Sequence, residues 1–211
     1  MSMKLYAAFV PLVAVAAFAV APAVAQAETK AYGTVKNGVF TAFTATTNVV
    51  STGTKPFILK AANGAIECKS LRDEGTVKNE GGTGHSSLTL WFDECVILPP
   101  SPLAGCSVQT PGAEPDHIHG TVTDEVKTET TVEITVTGGF ELKTDGSPEG
   151  CPANMALGTV TGEATGTEAK GSNELVFTEA PGLFLGEEAA TITGADTTVT
   201  ASRAKEPVLI N

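Results

Sequence analysis

Methionine and aromatic side chains are both scarce in this sequence. Aromatic residues make up 6% of the 211 positions, with one tryptophan, and there are only three methionines. Apolar residues do not recur at the three-to-four-residue spacing of an amphipathic helix. These absences disfavour a helical bundle, and they also disfavour a carbohydrate-binding surface built on stacked aromatic rings.

Basic residues are scarce too. There are 13 lysines and arginines against 24 aspartates and glutamates, which gives a formal net charge of −11. A chain this acidic repels phosphate backbones and anionic lipid surfaces. Nucleic acid is therefore excluded as the expected partner, and the charge favours solubility outside the cell.

The N-terminus has the layout of a secretory signal peptide. Lys4 precedes an apolar run over residues 5–25, and small residues follow up to Ala27. Cleavage is expected after Ala25 or after Ala27. The alternative is a retained membrane anchor, but the run is rich in alanine, contains prolines and has no basic cluster after it. We expect a signal peptide at 1–27, a single domain at 28–211 and no membrane span after cleavage.

Period-two alternation favours β-strands throughout the rest of the chain. The composition agrees, since the sequence contains 30 threonines and 22 glycines. Apolar or small side chains occupy every second position in residues 87–93, 131–137 and 158–165. Other predicted strands cover residues 33–42, 56–60, 65–70, 118–123, 174–178, 190–194 and 198–202.

Turn signals separate these strands at short, even spacing. They include Asn37-Gly38, Asn63-Gly64, Asp145-Gly146 and the glycine-rich segment at 80–84. Asn37-Gly38 is the clearest hairpin signal. The pattern predicts an all-β domain of about ten short strands, arranged as an antiparallel β-sandwich or a flattened barrel.

Four cysteines lie in the exported part of the chain, so two disulfides are expected. Zinc is disfavoured because no C-x-x-C pair exists. Of the three possible connectivities we favour a nested pair, with Cys95–Cys106 closing a proline-rich loop and Cys68–Cys151 joining distant strands.

The cysteine and glycine positions resemble those of a loose group of exported all-β proteins from high-GC actinobacteria. The likeness covers roughly residues 40–180, and its motifs are the segments 64–68 and 90–95, Cys106, Cys151 and the segment 158–162. The resemblance implies an exported bacterial protein, but it assigns no activity and no functional residues.

Three histidines are the candidate metal ligands. His117 and His119 point to the same side if their segment is a strand, about 6–7 Å apart, and could share copper or zinc. His85, in the glycine-rich turn, could be a third ligand. The alternative is that the histidines simply lie on a solvent-exposed face, so we expect no bound cofactor or metal.

Signals for an enzyme are weak. No G-x-S-x-G motif occurs, and the oxidised cysteines offer no thiol nucleophile. A carboxylate pair of the glycosidase type cannot be located from the sequence. Trp91 alternates with core residues, which predicts a packed or partly packed ring. The proline-rich loop at residues 99–102 is either a recognition surface or a passive connection.

The leading hypothesis is therefore a non-catalytic protein of the extracellular space or cell envelope, which acts by binding or as part of the cell surface. Its partner would be an extracellular or envelope component that the sequence does not name. An extracellular metal-binding protein is the alternative, and a secreted hydrolase is the third hypothesis.

Overall fold

The computed structural model describes residues 30–114 and 116–211, which form thirteen β-strands. No helix in these residues is long and apolar enough to cross a membrane. The predicted signal peptide at 1–27 lies outside the described residues. The strands are β1 (Tyr32–Lys36), β2 (Val39–Ala42), β3 (Thr47–Ala61), β4 (Gly64–Glu80), β5 (Thr83–Leu98), β6 (Val108–Gln109), β7 (Ile118–Thr128), β8 (Thr131–Val136), β9 (Phe140–Asp145), β10 (Ala153–Glu168), β11 (Glu174–Leu185), β12 (Glu188–Thr200) and β13 (Leu209–Ile210).

Eight of these strands form a closed antiparallel barrel. Its strands are hydrogen-bonded in the order β3, β4, β5, β7, β8, β10, β11 and β12, and the pairing of β12 with β3 closes the ring. Sequence neighbours within the ring are therefore also spatial neighbours. A ring of this kind has no unpaired edge, and its alternate side chains point inward.

The other strands lie at the two ends of the barrel. At one end, β9 continues β8 after Gly138 and Gly139, whose positive φ angles of 73° and 71° break the strand. Strand β9 remains paired with β10 and adds β6 on its other side. At the opposite end, β13, β1 and β2 form a separate three-stranded sheet, here called the cap sheet.

Two apolar clusters fill the interior. In the larger one the Phe57 ring contacts the rings of Phe92 and Phe177, with centroids 5.5 and 6.4 Å apart. The smaller cluster lies under the cap sheet. Its members are Tyr32, Val49, Val77, Val126, Val132, Val208 and Ile210. Because Tyr32 and Ile210 belong to β1 and β13, the cap sheet is packed onto the barrel through its own side chains.

The all-β prediction is confirmed, and of the two architectures left open a barrel is the one observed. The Asn37-Gly38 hairpin is also confirmed, since Lys36 pairs with Val39. The strands are longer than predicted. The segments predicted at 190–194 and 198–202 are one strand, because β12 passes through register shifts around Ala195 and stays paired with β3.

The predicted cysteine pairing is wrong, although all four cysteines are bridged as expected. The structure pairs Cys68 with Cys95 and Cys106 with Cys151, rather than Cys68 with Cys151 and Cys95 with Cys106. The first bridge joins neighbouring strands β4 and β5. The second joins the segment before β6 to the segment between β9 and β10, at the end of the barrel away from the cap sheet.

The turn between β4 and β5 gives the physical reason for the correction. Gly81 and Gly82, with φ angles of 60° and 87°, form a two-residue hairpin loop that fixes the register of the pair. That register is constant along both strands and places Cys68 opposite Cys95, with their α-carbons 4.0 Å apart. A bridge from Cys68 to Cys151 would require Cys68 to leave its position opposite Cys95 in this hairpin.

Candidate functional site

Four acidic side chains are buried among the barrel strands. Asp73 lies on β4, Asp124 on β7, Glu168 at the end of β10 and Asp196 on β12. Their exposed fractions are 1%, 8%, 7% and 7%. Aspartate and glutamate are almost never this buried unless they are paired, so the cluster requires an explanation.

Strand alternation directs these acids inward. In β7 the buried positions are every second residue from Ile118 to Val126, and Asp124 occupies one of them. In β4, Asp73 lies two residues after buried Leu71 and on the same face. Asp73 and Asp124 therefore lie on the same inward face of their strands as the buried apolar side chains.

Hydrogen bonds satisfy only part of the cluster. The Ser86 hydroxyl donates to Asp124 Oδ2 at 2.6 Å, and the Ile210 backbone N–H donates to Glu168 Oε1 at 3.1 Å. Ser51 is the hydrogen-bond partner of Asp73. The Oδ1 atoms of Asp73, Asp124 and Asp196 are buried and have no hydrogen-bond partner. Leaving a buried charged oxygen unpaired costs several kcal/mol, about 1–3 kcal/mol even for a neutral group.

The electrostatics of the cluster favour the protonated acids. Burial raises the pKa of Asp124 to about 7, and the nearby Asp73 carboxylate adds to the shift. Burial raises the pKa of Glu168 to about 7 as well. The pKa values of Asp73 and Asp196 are also raised by burial, and that of Asp196 is raised further by each of the other three acids. The carboxyl groups of the cluster therefore ionise at higher pH than ordinary acidic side chains.

A cavity of about 70 Å³ lies against the four acids. None of the described residues that line it is a lysine, arginine or histidine. A second cavity of about 60 Å³ is lined by apolar side chains, and it shares lining residues with the first. The shared residues are Phe57, Leu90, Phe92, Val122, Ile134 and Ile192. The barrel interior thus has an acidic part and an adjoining apolar part.

The cap sheet covers the acidic part. Tyr32 and Val208 line the acidic cavity from the cap side. Asn79 holds β1 in place, because it accepts from the Tyr32 backbone N–H and donates to the Tyr32 carbonyl, both at 2.8 Å. Glu168 connects the cavity to the cap sheet, because it lines the cavity and accepts a hydrogen bond from the Ile210 backbone N–H of β13. Entry to the acidic cavity from this end requires the cap sheet to move.

His117 and His119 contact alternate residues of β5, Asp93 and Trp91, while His85 lies apart from both. His119 stacks on Trp91, with ring centroids 5.4 Å apart. His117 lies 3.3 Å from an Asp93 carboxylate oxygen and 3.0 Å from one of Asp116. His85 is six residues from Trp91 along β5, which is about 20 Å. Within residues 30–114 and 116–211, no group of three potential ligands could hold a metal ion.

Trp91 is half-buried, and its ring contacts two neighbouring side chains on the outer face of the barrel. Its neighbours across the sheet are Arg72 on β4 and His119 on β7. The Arg72 guanidinium lies 4.8 Å from the centroid of the indole ring, within the range of a cation–π contact. The predicted partial packing of Trp91 is therefore observed, but between neighbouring side chains of the outer face.

The proline-rich loop at 99–102 is not closed at its base by a disulfide, since Cys95 bonds to Cys68. Cys106 instead connects its far end to Cys151. Leu103 packs against the larger apolar cluster, and Ile97 belongs to that cluster. Ile97 and Leu103 thus serve the core, while Pro99, Pro100 and Pro102 are exposed.

Sequence reasoning missed the buried acids. The predicted strand at 118–123 ended one residue before Asp124, and the strand at 65–70 ended three residues before Asp73. The detectable signal was an acid in phase with apolar residues, as in Val122, Asp124 and Val126. That phase becomes visible only when the strands are extended to their full length.

Comparison with known proteins adds no relative to this description. The chain matches no family model, no curated protein and no solved structure.

Proposed function

We propose that this chain is an exported, non-catalytic binding protein whose barrel interior is the ligand compartment. The observation that carries the proposal is the pair of adjoining cavities, one acidic and one apolar, inside a closed ring of strands. Eight-stranded barrels either fill their interior with side chains or hold one small ligand. Four buried carboxyl groups that line a cavity favour the second use.

The compartment is small and covered, so it suits a very small ligand better than the sugar substrate of a hydrolase. Pockets for drug-sized ligands measure about 300–1,000 Å³, whereas these cavities measure about 60 and 70 Å³. A glycosidase must place two carboxyl groups on either side of a sugar ring that reaches them from solvent. The four acids are covered by the cap sheet, so their raised pKa values are better explained by burial than by a catalytic role.

The export assignment rests on the N-terminal sequence, and the two disulfides support it because such bonds persist in oxidising compartments. On this proposal the protein acts outside the cytoplasm, either secreted or in the cell envelope. The resemblance to exported actinobacterial proteins supports the same setting. Its net negative charge keeps it from nucleic acid and anionic lipid.

Xenon under pressure tests whether the interior is accessible to a ligand, because this gas enters apolar cavities of proteins. We expect saturable changes in the amide NMR signals of residues that line the apolar cavity, such as Val160 and Ile192. Leu59→Phe replaces an aliphatic side chain that lines this cavity with a larger aromatic one, and it should abolish the response to xenon. Val39→Phe, at an exposed position of the cap sheet, is the matched control. A folded wild-type protein that shows no xenon response would overturn the proposal.

A further inference from the structure

We infer that the interior ligand is a small organic cation, namely a primary ammonium group attached to a short apolar body. This inference rests on the proposed binding function and specifies its ligand class. The ammonium group would lie among Asp73, Asp124 and Asp196, and the apolar body would extend into the adjoining apolar cavity.

The unpartnered atoms match the donors of an ammonium group. Asp73, Asp124 and Asp196 each present one buried Oδ1 atom without a hydrogen-bond partner, and each residue is more than nine-tenths buried. A primary ammonium group has three N–H donors and no acceptor. Three acceptors without donors and three donors without acceptors are complementary, and hydrogen bonds between charged groups are the stronger kind.

The charge of the lining selects a cation. Four carboxyl groups face the acidic cavity, and the described lining contributes no cationic side chain. Asp196 interacts electrostatically with each of the other three acids. A bound cation would supply the counter-charge that the barrel itself lacks.

An inorganic ion fits less well than an organic one. Calcium takes six to eight oxygen ligands and magnesium requires a near-octahedral set. Within the described residues, no group of three acidic, histidine or cysteine side chains could hold a metal ion, whose bonds to oxygen are shorter than the hydrogen bonds of an ammonium nitrogen. The apolar cavity next to the acids would also have no use in an ion site, whereas it accommodates a hydrocarbon chain.

The cavity volumes set the size of the ligand. An engineered apolar cavity of about 150 Å³ holds one benzene molecule, which has six heavy atoms. Each cavity here is about half that size, at about 60 and 70 Å³, and the two adjoin. A ligand of five or six heavy atoms would therefore fill both, and n-butylammonium, with five, is a suitable probe.

Isothermal titration of the full exported protein at pH 8 tests this inference. We expect n-butylammonium to bind at a ratio of one to one, and 1-butanol, which has the same number of heavy atoms, to bind at least tenfold more weakly. Asp196→Asn should weaken n-butylammonium binding at least tenfold. Glu74→Gln is the matched control, because Glu74 is exposed on β4 next to Asp73 and faces outward. Asp124→Asn provides a second interior variant should Asp196→Asn fail to fold.

The outcomes separate the ligand class from the proposed function. Equal binding of 1-butanol and n-butylammonium, or equal weakening by Glu74→Gln and the interior variants, would overturn the cation inference and leave the binding function standing. Binding of calcium chloride at one to one, with no response to n-butylammonium, would also overturn it. Failure of every probe, together with a silent xenon experiment, would overturn both proposals.

Discussion

Replacing Asp124 with asparagine should make the stability of the protein less dependent on pH. Burial raises the pKa of this carboxyl from 3.8 to about 7 in the folded protein. Between these two values the folded protein holds a proton that the unfolded chain has lost, so stability is fully present below pH 4 and falls as the pH rises to about 7. A shift of about three pKa units corresponds to roughly 4 kcal/mol, and the loss is complete above pH 7.

Asparagine keeps the oxygen that accepts the hydrogen bond from Ser86, while its neutral amide has no charge to desolvate. The free energy of unfolding, measured by urea denaturation from pH 4 to pH 8.5, should therefore fall less in Asp124→Asn than in the wild type, by about 4 kcal/mol over this range. Glu74→Gln removes a carboxylate from the outer face of the barrel and should follow the wild-type curve. Parallel curves for Asp124→Asn and wild type would refute the reasoning.

Three further predictions address the bridges, the N-terminus and the cap sheet. Peptide mapping without reduction should yield Cys68–Cys95 and Cys106–Cys151 peptides. Removing either bridge should lower the free energy of unfolding by about 3–4 kcal/mol. The two losses should differ by less than about 1 kcal/mol, because the two closed loops are similar in length. Intact-mass spectrometry of exported protein should show a chain beginning at Gln26 or Glu28, and a retained initiator methionine would contradict the signal peptide. Glu168→Ala should destabilise the protein by about 1–3 kcal/mol relative to Glu168→Gln, because only glutamine can still accept the hydrogen bond from the β13 backbone. Glu168→Ala should also speed hydrogen exchange of the β13 amides. Equal exchange in the two variants would show that this hydrogen bond does not hold the cap sheet.

Local features of the fold could be predicted from the sequence. Alternation identified the centres of most long strands, and the residues predicted to face inward in β5 and β8 are those that pack in the core. Asn37-Gly38 identified a hairpin because a two-residue turn determines its own geometry. Closure of the barrel could not be predicted, since it depends on β12 meeting β3 across most of the chain length.

The disulfide pairing and the acidic cluster depend on strand register as well as on local sequence. The glycine-rich segment at 80–84 predicts a turn, and the register counted outward from Gly81 and Gly82 places Cys68 opposite Cys95. The acids could not be located from the sequence, because charged residues normally face solvent. Asp196 was out of reach for a different reason, because it lies between two predicted strands and becomes inward-facing only where β12 passes through its register shifts.

The most direct test of an acidic ligand compartment is a carbon-13 NMR titration of the aspartate side-chain carboxyl groups, with and without n-butylammonium. The account predicts that Asp124 titrates near pH 7 in the free protein, about three units above an ordinary aspartate, with Asp73 and Asp196 also displaced upward. Saturating n-butylammonium should lower the pKa values of these buried groups and leave exposed aspartates unchanged, because a bound cation favours the ionised acid. Titration of every aspartate near pH 4, with no response to n-butylammonium, would contradict the account.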